Sequence, residues 1–311
     1  MRYLRFLMLA ASACMLVAAH GESLPDRDLE RFVVASKAVN AEFEIVVATS
    51  VVGQELEGPL PLLVVLDGFL LGMSAIETAR LLTAAGEIEP IIVATVSANG
   101  PFAARTARRG PDFSANAEGM RDHPSIQGIV SQLDAAGIKV EQAFGQSDNY
   151  RAFMRDEMLP ELASRMAYDK KRMSLFGHSA AGAFTLEALL EGDLPFQDFV
   201  VGEAGTFMLF GTEGELVGKA LAHQDLPAKR LFYADSGDTM TSKTKHLFES
   251  EALLKRIENE LLVSVEKYHY ADESHTTMIP EFIKDSLMAL YGTGERYSTR
   301  FAERMGIKPD S

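Results

Sequence analysis

The segment that most constrains this chain runs from Arg172-Met173-Ser174-Leu175-Phe176 into Gly177-His178-Ser179-Ala180-Ala181-Gly182 and on through Ala183-Phe184-Thr185-Leu186-Glu187-Ala188-Leu189-Leu190. It reads as strand, tight turn, helix, with a serine at the turn. A hydroxyl on such a turn is exposed above a sheet and beside a helix N-terminus, where an otherwise poor nucleophile can be activated. The turn needs small neighbours. Gly177 permits close approach on one side, and Ala181 and Gly182 let the first helical turn pack on the strand. Ala181 stands where the motif G-x-S-x-G has its second glycine, and alanine is the smallest substitute.

Around this turn the hydrophobic pattern switches between two periods. Ala41 to Thr49 alternates and then runs apolar, as a partly solvated strand does. Leu62-Leu63-Val64-Val65-Leu66 and Pro90 to Val96 are short apolar runs of the kind that sheets covered on both faces require. Further strands are expected at 172–176, 199–201, 230–234 and 260–270. Helical spacing appears over Ser74 to Gly86, over Tyr150 to Ala167 with a bend at Pro160, and over Met278 to Tyr291, while the arginine-rich stretch through Arg105, Arg108, Arg109, Pro111, Asp112 and Phe113 reads as a long polar loop. Strands alternating with helices imply an α/β fold with a mainly parallel central sheet and helices on both faces. No repeat or low-complexity linker divides the chain. One domain over residues 24–291, with a polar tail over 292–311, accounts for the pattern.

A serine nucleophile needs a base and an orienting acid, in the order Ser, Asp or Glu, His, on loops at the C-terminal ends of strands. Strand 230–234 is followed by Asp235-Ser236-Gly237-Asp238, and the last strand by Ala271-Asp272-Glu273-Ser274-His275. His275 is the expected base. Asp238, beside a glycine that permits a turn, is the preferred acid over Asp235, with Glu249 and Glu251 further along a helix. His178 adjoins the nucleophile but faces away from its side chain, packing or hydrogen-bonding within the turn, and His269 lies inside a strand. Oxyanion stabilisation needs two backbone donors. The Ala180 N–H is one, and the loop after strand 62–66 offers Gly68 or Phe69 for the other.

Leu66-Asp67-Gly68, Arg109-Gly110-Pro111-Asp112-Phe113-Ser114, Phe153 to Leu162, Phe176-Gly177-His178-Ser179 and Glu273-Ser274-His275 together resemble an esterase family of α/β-hydrolases. That family includes siderophore trilactone esterases, S-formylglutathione hydrolases and mycolyltransferases. The resemblance spans about residues 40 to 291 and implies an ester hydrolase with Ser179 and His275, without singling out a substrate. Two departures stand out. Glu203-Ala204-Gly205-Thr206-Phe207 replaces the serine-proline-serine-aromatic stretch of many siderophore-esterase-like members, and Met240 stands where a glutamate three residues after Gly237 is common. Some relatives look like Ser–His dyads, so the third member is open.

The N-terminus carries Arg2 and Arg5, then an apolar run from Phe6 to Ala19 ending in small residues. This is the pattern of a secretory signal peptide over residues 1–19, cleaved after Ala19 or Gly21 and too short to span a bilayer comfortably, with an uncleaved anchor as the alternative. A periplasmic or secreted protein is expected. Cys14 is the only cysteine and lies in that segment, so disulfides and cysteine-ligated metals are excluded from the mature chain, and lipidation at Cys14 is not favoured because the apolar run continues past it. Loss of the two arginines takes the net charge from −14 to −16. Such a body repels nucleic acid and anionic lipid.

A phosphate-binding loop at Gly214 to Ala220 fails, because Glu213 and Ala220 replace the glycine and the hydroxyl it needs. With no His-Glu-x-x-His and no cysteine pair, neither a zinc site nor any cofactor is expected. The expected partner is a small-molecule ester. Arg109 is expected to pair with Asp112 rather than hold an anionic substrate group, and Phe207, Met208, Leu209 and Phe210 are split between pocket wall and core. An acyltransferase would use the same residues. A catalytically silent binding protein on this scaffold would be expected to lose the serine or the late histidine, and neither is lost.

Overall fold

The computed structural model describes residues 29–53, 58–115, 117–122, 126–209, 212–222, 229–241, 243 and 245–294. The expected signal segment with Cys14, the side chain of Phe210 and the tail from 295 onward lie outside them. Eight strands, β1 (Leu29–Ser36), β2 (Ala41–Thr49), β3 (Leu60–Val65), β4 (Ile92–Ala98), β5 (Tyr168–His178), β6 (Asp198–Gly202), β7 (Lys229–Ser236) and β8 (Val263–Tyr270), form one sheet. Its order is β1-β2-β4-β3-β5-β6-β7-β8, with β2 antiparallel to β1 and β4 and the remaining pairs parallel. The α/β architecture with a mainly parallel sheet is therefore as the sequence implies.

Helices α1 (Gly68–Ala85), α2 (Phe102–Phe113), α3 (Gln127–Ala135), α4 (Ala180–Glu191), α5 (Glu213–Ala222), α6 (Glu251–Glu260) and α7 (Ile279–Tyr291) flank the sheet. Successive residues of a strand point to opposite faces, and β3 shows the sorting. Leu62 and Val64 join the core that α2, α4, α5 and α6 cover, whereas Leu63 and Val65 join the core under α1 and α7. Each apolar run is thus covered twice, which is why it shows no alternation.

Three elements differ from the sequence reading. β1 was not expected, because as an edge strand it buries only Phe32 and Ser36 and carries too little apolar signal. The arginine-rich stretch read as a loop is helix α2, whose charged face is solvated; only Pro111, Asp112 and Phe113 are buried, and Pro111 falls in its last turn. The bend expected at Pro160 takes the form of a π-helical segment over Phe153–Met158 just before a short helix that carries Pro160 in its first turn, where proline needs no donor. Beyond α7, Gly292 bridges Ile88 and the Thr293 N–H bonds the Glu87 carbonyl at 2.9 Å. No helix among the described residues is long and apolar enough to cross a membrane.

Candidate active site

Because β3, β5, β6 and β7 are parallel neighbours, their C-terminal ends deliver four loops to one edge of the sheet. The register places His178 beside Gly202 and Gly202 beside Ala234. Ser179 and Glu203 therefore leave the sheet side by side, with the Ser179 N–H on the Gly202 carbonyl at 2.8 Å and the Glu203 N–H on the Ala234 carbonyl at 2.7 Å. Ser179 sits at φ 61°, ψ −119° directly before α4. The turn closes because its neighbours are small. A Cβ on Gly177 would lie 2.2 Å from the Ala181 carbonyl oxygen.

His275, on the loop between β8 and α7, bonds through Nδ1 to a carboxylate oxygen of Glu203. Glu203 is fully buried. Its other contacts are the Ser236 N–H at 2.7 Å, the Ser236 hydroxyl at 2.6 Å and the Thr239 hydroxyl at 3.1 Å. Burial would push its carboxyl up, but the bonds from His275 and Ser236 outweigh burial and hold it below the ordinary value, so it is a carboxylate facing an imidazole. With Nδ1 engaged, Nε2 is the nitrogen left for proton exchange.

Two sets of orphan donors flank the serine. Ala180 opens α4 and Gly68 and Phe69 open α1, and neither helix start is capped by a side chain, so these N–H groups lack intrahelical acceptors. The Leu66 N–H on the Phe176 carbonyl at 3.0 Å holds the two starts on adjacent strands. Gly68 is required by packing, since a Cβ there would lie 2.7 Å from Thr95 Oγ1. Asp67, in the left-handed region at φ 51°, leads into this turn and accepts from Arg109 Nε at 2.9 Å. Burial pushes its carboxyl up to about 6, with the Arg109 charge and hydrogen bond opposing.

No family profile matches the chain. The ferri-bacillibactin esterase BesA of Bacillus subtilis is 25% identical over 165 residues, covering 50% of this chain and 55% of that one, so the match spans about half the length of that relative. Among solved structures, the BES protein from Bacillus cereus superposes with a TM-score of 0.68 at 20% identity over 88% of this chain and 99% of its own. The siderophore hydrolase EstB from Aspergillus nidulans gives 0.69 at 17% identity over 89% and 99%. The fold is that of the α/β-hydrolases. The resemblance read from the motifs and the relatives found by comparison agree.

Within this fold the acid position differs from the sequence reading. Asp238 does not reach His275; its backbone N–H bonds the Glu273 carbonyl at 3.3 Å. Asp235 is taken by His269, with which it is in register on the neighbouring strand, at 2.5 Å. Glu249 and Glu251 pair with Lys245 and Lys255. The carboxylate on the imidazole comes instead from the residue after β6, one strand earlier, and the last residue of β7 and the short helix that follows supply the hydroxyls that hold it. Glu203 was visible in the sequence only as a departure from the family pattern. An acid one glycine beyond the apolar run Phe199-Val200-Val201, in the strand candidate that follows the nucleophile turn, was the signal.

Arg109 likewise bonds Asp67, while Arg108 takes Asp112. No further bond from the Arg109 guanidinium occurs among the described residues. Met208 and Leu209 are core, whereas Phe207 is half-buried and meets Phe248 edge-on at 6.5 Å, and Phe248 in turn lies 4.8 Å from the His275 ring. Phe69 meets the exposed Phe102 at 5.6 Å near the other helix start.

Proposed function

We propose that the protein is a serine hydrolase that cleaves carboxylic esters through an acyl-enzyme on Ser179. The observation that carries this reading is the buried Glu203 carboxylate on His275 Nδ1, on the loop beside a serine held at positive φ at a helix start. In this scheme His275 Nε2 takes the Ser179 proton as Oγ bonds the carbonyl carbon, and returns it to the leaving alcohol. Glu203 fixes the tautomer and favours the imidazolium. The developing oxyanion is met by the Ala180 N–H and by the Gly68 or Phe69 N–H. Water then repeats the sequence and releases the acid.

For substrate, the names of the relatives point to siderophore esters. Two features support a group of that kind: aromatic pairs at two parts of the site, Phe69 with Phe102 at the start of α1 and Phe207 with Phe248 against His275, and the guanidinium nitrogens of Arg109 that bond nothing further among the described residues, for an anionic substituent. The test is labelling with a fluorophosphonate, mapped by mass, beside hydrolysis of short-chain p-nitrophenyl esters and of a siderophore trilactone. Label on Ser179, absent from Ser179→Ala, with turnover lowered at least about a thousandfold in Ser179→Ala and His275→Ala, is the expected result. Folded protein that takes no label contradicts the reading, and turnover of simple esters but not the trilactone contradicts the substrate class alone.

A further inference from the structure

His178 is the side chain in this site for which the catalytic scheme has no use. It is 5% exposed, no side chain among the described residues bonds either ring nitrogen, and the polar group that acts on the ring is the His275 backbone. A buried polar ring without a side-chain partner calls for an explanation. The ring lies against that of His275, with centroids 4.6 Å apart and planes at 38°. The space is made by Gly202, whose Cβ, were there one, would sit 2.6 Å from His178 Nδ1. Strand register thus supplies a histidine from β5, a gap from β6 and the base from the loop after β8, stacked in one place.

We propose that His178 is a positioning residue for His275: its neutral ring holds the imidazole with Nδ1 on Glu203, and its face favours the imidazolium that forms when His275 accepts the Ser179 proton. The inference rests on the triad reading given above. A cation within about 6 Å of an aromatic centroid is drawn to the electron-rich face, and a neutral imidazole presents one. The proton moves from Ser179 Oγ to His275 Nε2 and on to the leaving alcohol, and His178 exchanges none. Neutrality is essential, because a second cation at this spot would repel the first. Burial, then the neighbouring His275 and, more weakly, Arg109 push the His178 ring down to about 3, against the pull of Glu203 and of a hydrogen bond with the His275 backbone. Among the described residues, Asp272 and Glu273 share the loop of His275, and the Asp238 backbone bonds Glu273.

The experiment measures kcat, KM and the pH profile of p-nitrophenyl acetate hydrolysis for His178→Leu and His178→Phe beside wild type, with the imidazole nitrogens of the wild-type protein followed by NMR from pH 5 to 8. Expected are a kcat about tenfold lower in the leucine variant, with KM within about twofold, and an acid limb of kcat/KM displaced to lower pH as the imidazolium loses support. The phenylalanine variant, which restores an aromatic face, recovers most of that loss and returns the limb. Wild-type rates in His178→Leu overturn the proposal, as do equal losses in both variants with the limb unmoved, the mark of plain packing. If the leucine variant does not fold, the NMR decides: a His178 ring that takes up a proton between pH 5 and 8 overturns the proposal, and one that stays neutral while His275 titrates sustains it. Undiminished turnover in Ser179→Ala signals failure of the triad reading instead, and the same NMR titration then judges His178 without reference to activity.

Discussion

Ser179 at φ 61° and Glu203 at φ 35° are non-glycine residues in a backbone region that side chains disfavour, at a cost of about 1–3 kcal/mol each. Both lie where the sheet ends, and both must turn sharply to bring a functional group over its edge. The strain is therefore tied to the chemistry, which gives a stability prediction separate from activity. Ser179→Gly, free of the Cβ, is expected to be more stable than Ser179→Ala by about 1 kcal/mol, a Tm higher by about 2 °C. Both variants are expected to be inactive. Equal melting temperatures in calorimetry would show that the elbow is relaxed.

At the scale of elements, the elbow depends on α4 lying close against β5. Gly177→Ala would drive a Cβ into the Ala181 carbonyl and Thr185 Oγ1, at 2.2 and 2.4 Å, and backbone cannot give way as a flexible side chain can. This substitution is expected to lower stability by about 2–3 kcal/mol or more, checked by urea unfolding, and a change under about 0.5 kcal/mol would contradict the packing described. The same elements show what could be read from sequence. β3, β4 and the second half of β5 are buried on both faces, so their apolar runs were legible and the serine turn was placed at the end of β5, while His275 was chosen from the loop after the last strand candidate. β1 and α2 were not legible, because an edge strand and a solvated arginine-rich helix bury too little to leave a pattern. Glu203, the carboxylate on His275, was not singled out for a different reason. Asp235 near the end of β7, Asp238 in the short helix after it and Glu203 just after β6 all lie at the same sheet edge, and the register of β6 against β5 and β7 decides which carboxylate meets the imidazole.

At the scale of the whole molecule, several carboxyls are carried into the interior. Burial pushes Glu187, on α4, up to about 7, with Arg151 and the Ser147 hydroxyl opposing, and it pushes Asp112 up to about 6 against Arg108. With Asp67 also raised, the folded protein holds protons that the unfolded chain releases near pH 4 to 4.5. The stability these groups contribute is complete below that range and is lost as pH rises through about 6 to 7. Thermal melts of wild type are thus expected to fall between pH 5 and 8, and those of Glu187→Gln to fall less. Arg151 keeps Asp148 and Asp193 in that variant. Identical slopes would contradict the raised Glu187. We further propose that residues 1–19 direct export to the periplasm or medium, and intact mass of the exported protein tests this, a start at His20 or Glu22 being expected and a retained Met1 contradicting it.

The proposed triad, with its acid just after β6, is the centre of the account, and paired substitution tests it most directly. Steady-state kcat/KM on a p-nitrophenyl ester is measured for Glu203→Gln and Asp238→Asn, each checked for a native melt. The account predicts a loss of about a hundredfold or more in Glu203→Gln, because the imidazole loses its anionic partner, and a change under about threefold in Asp238→Asn. A large loss in Asp238→Asn with Glu203→Gln near wild type would contradict it.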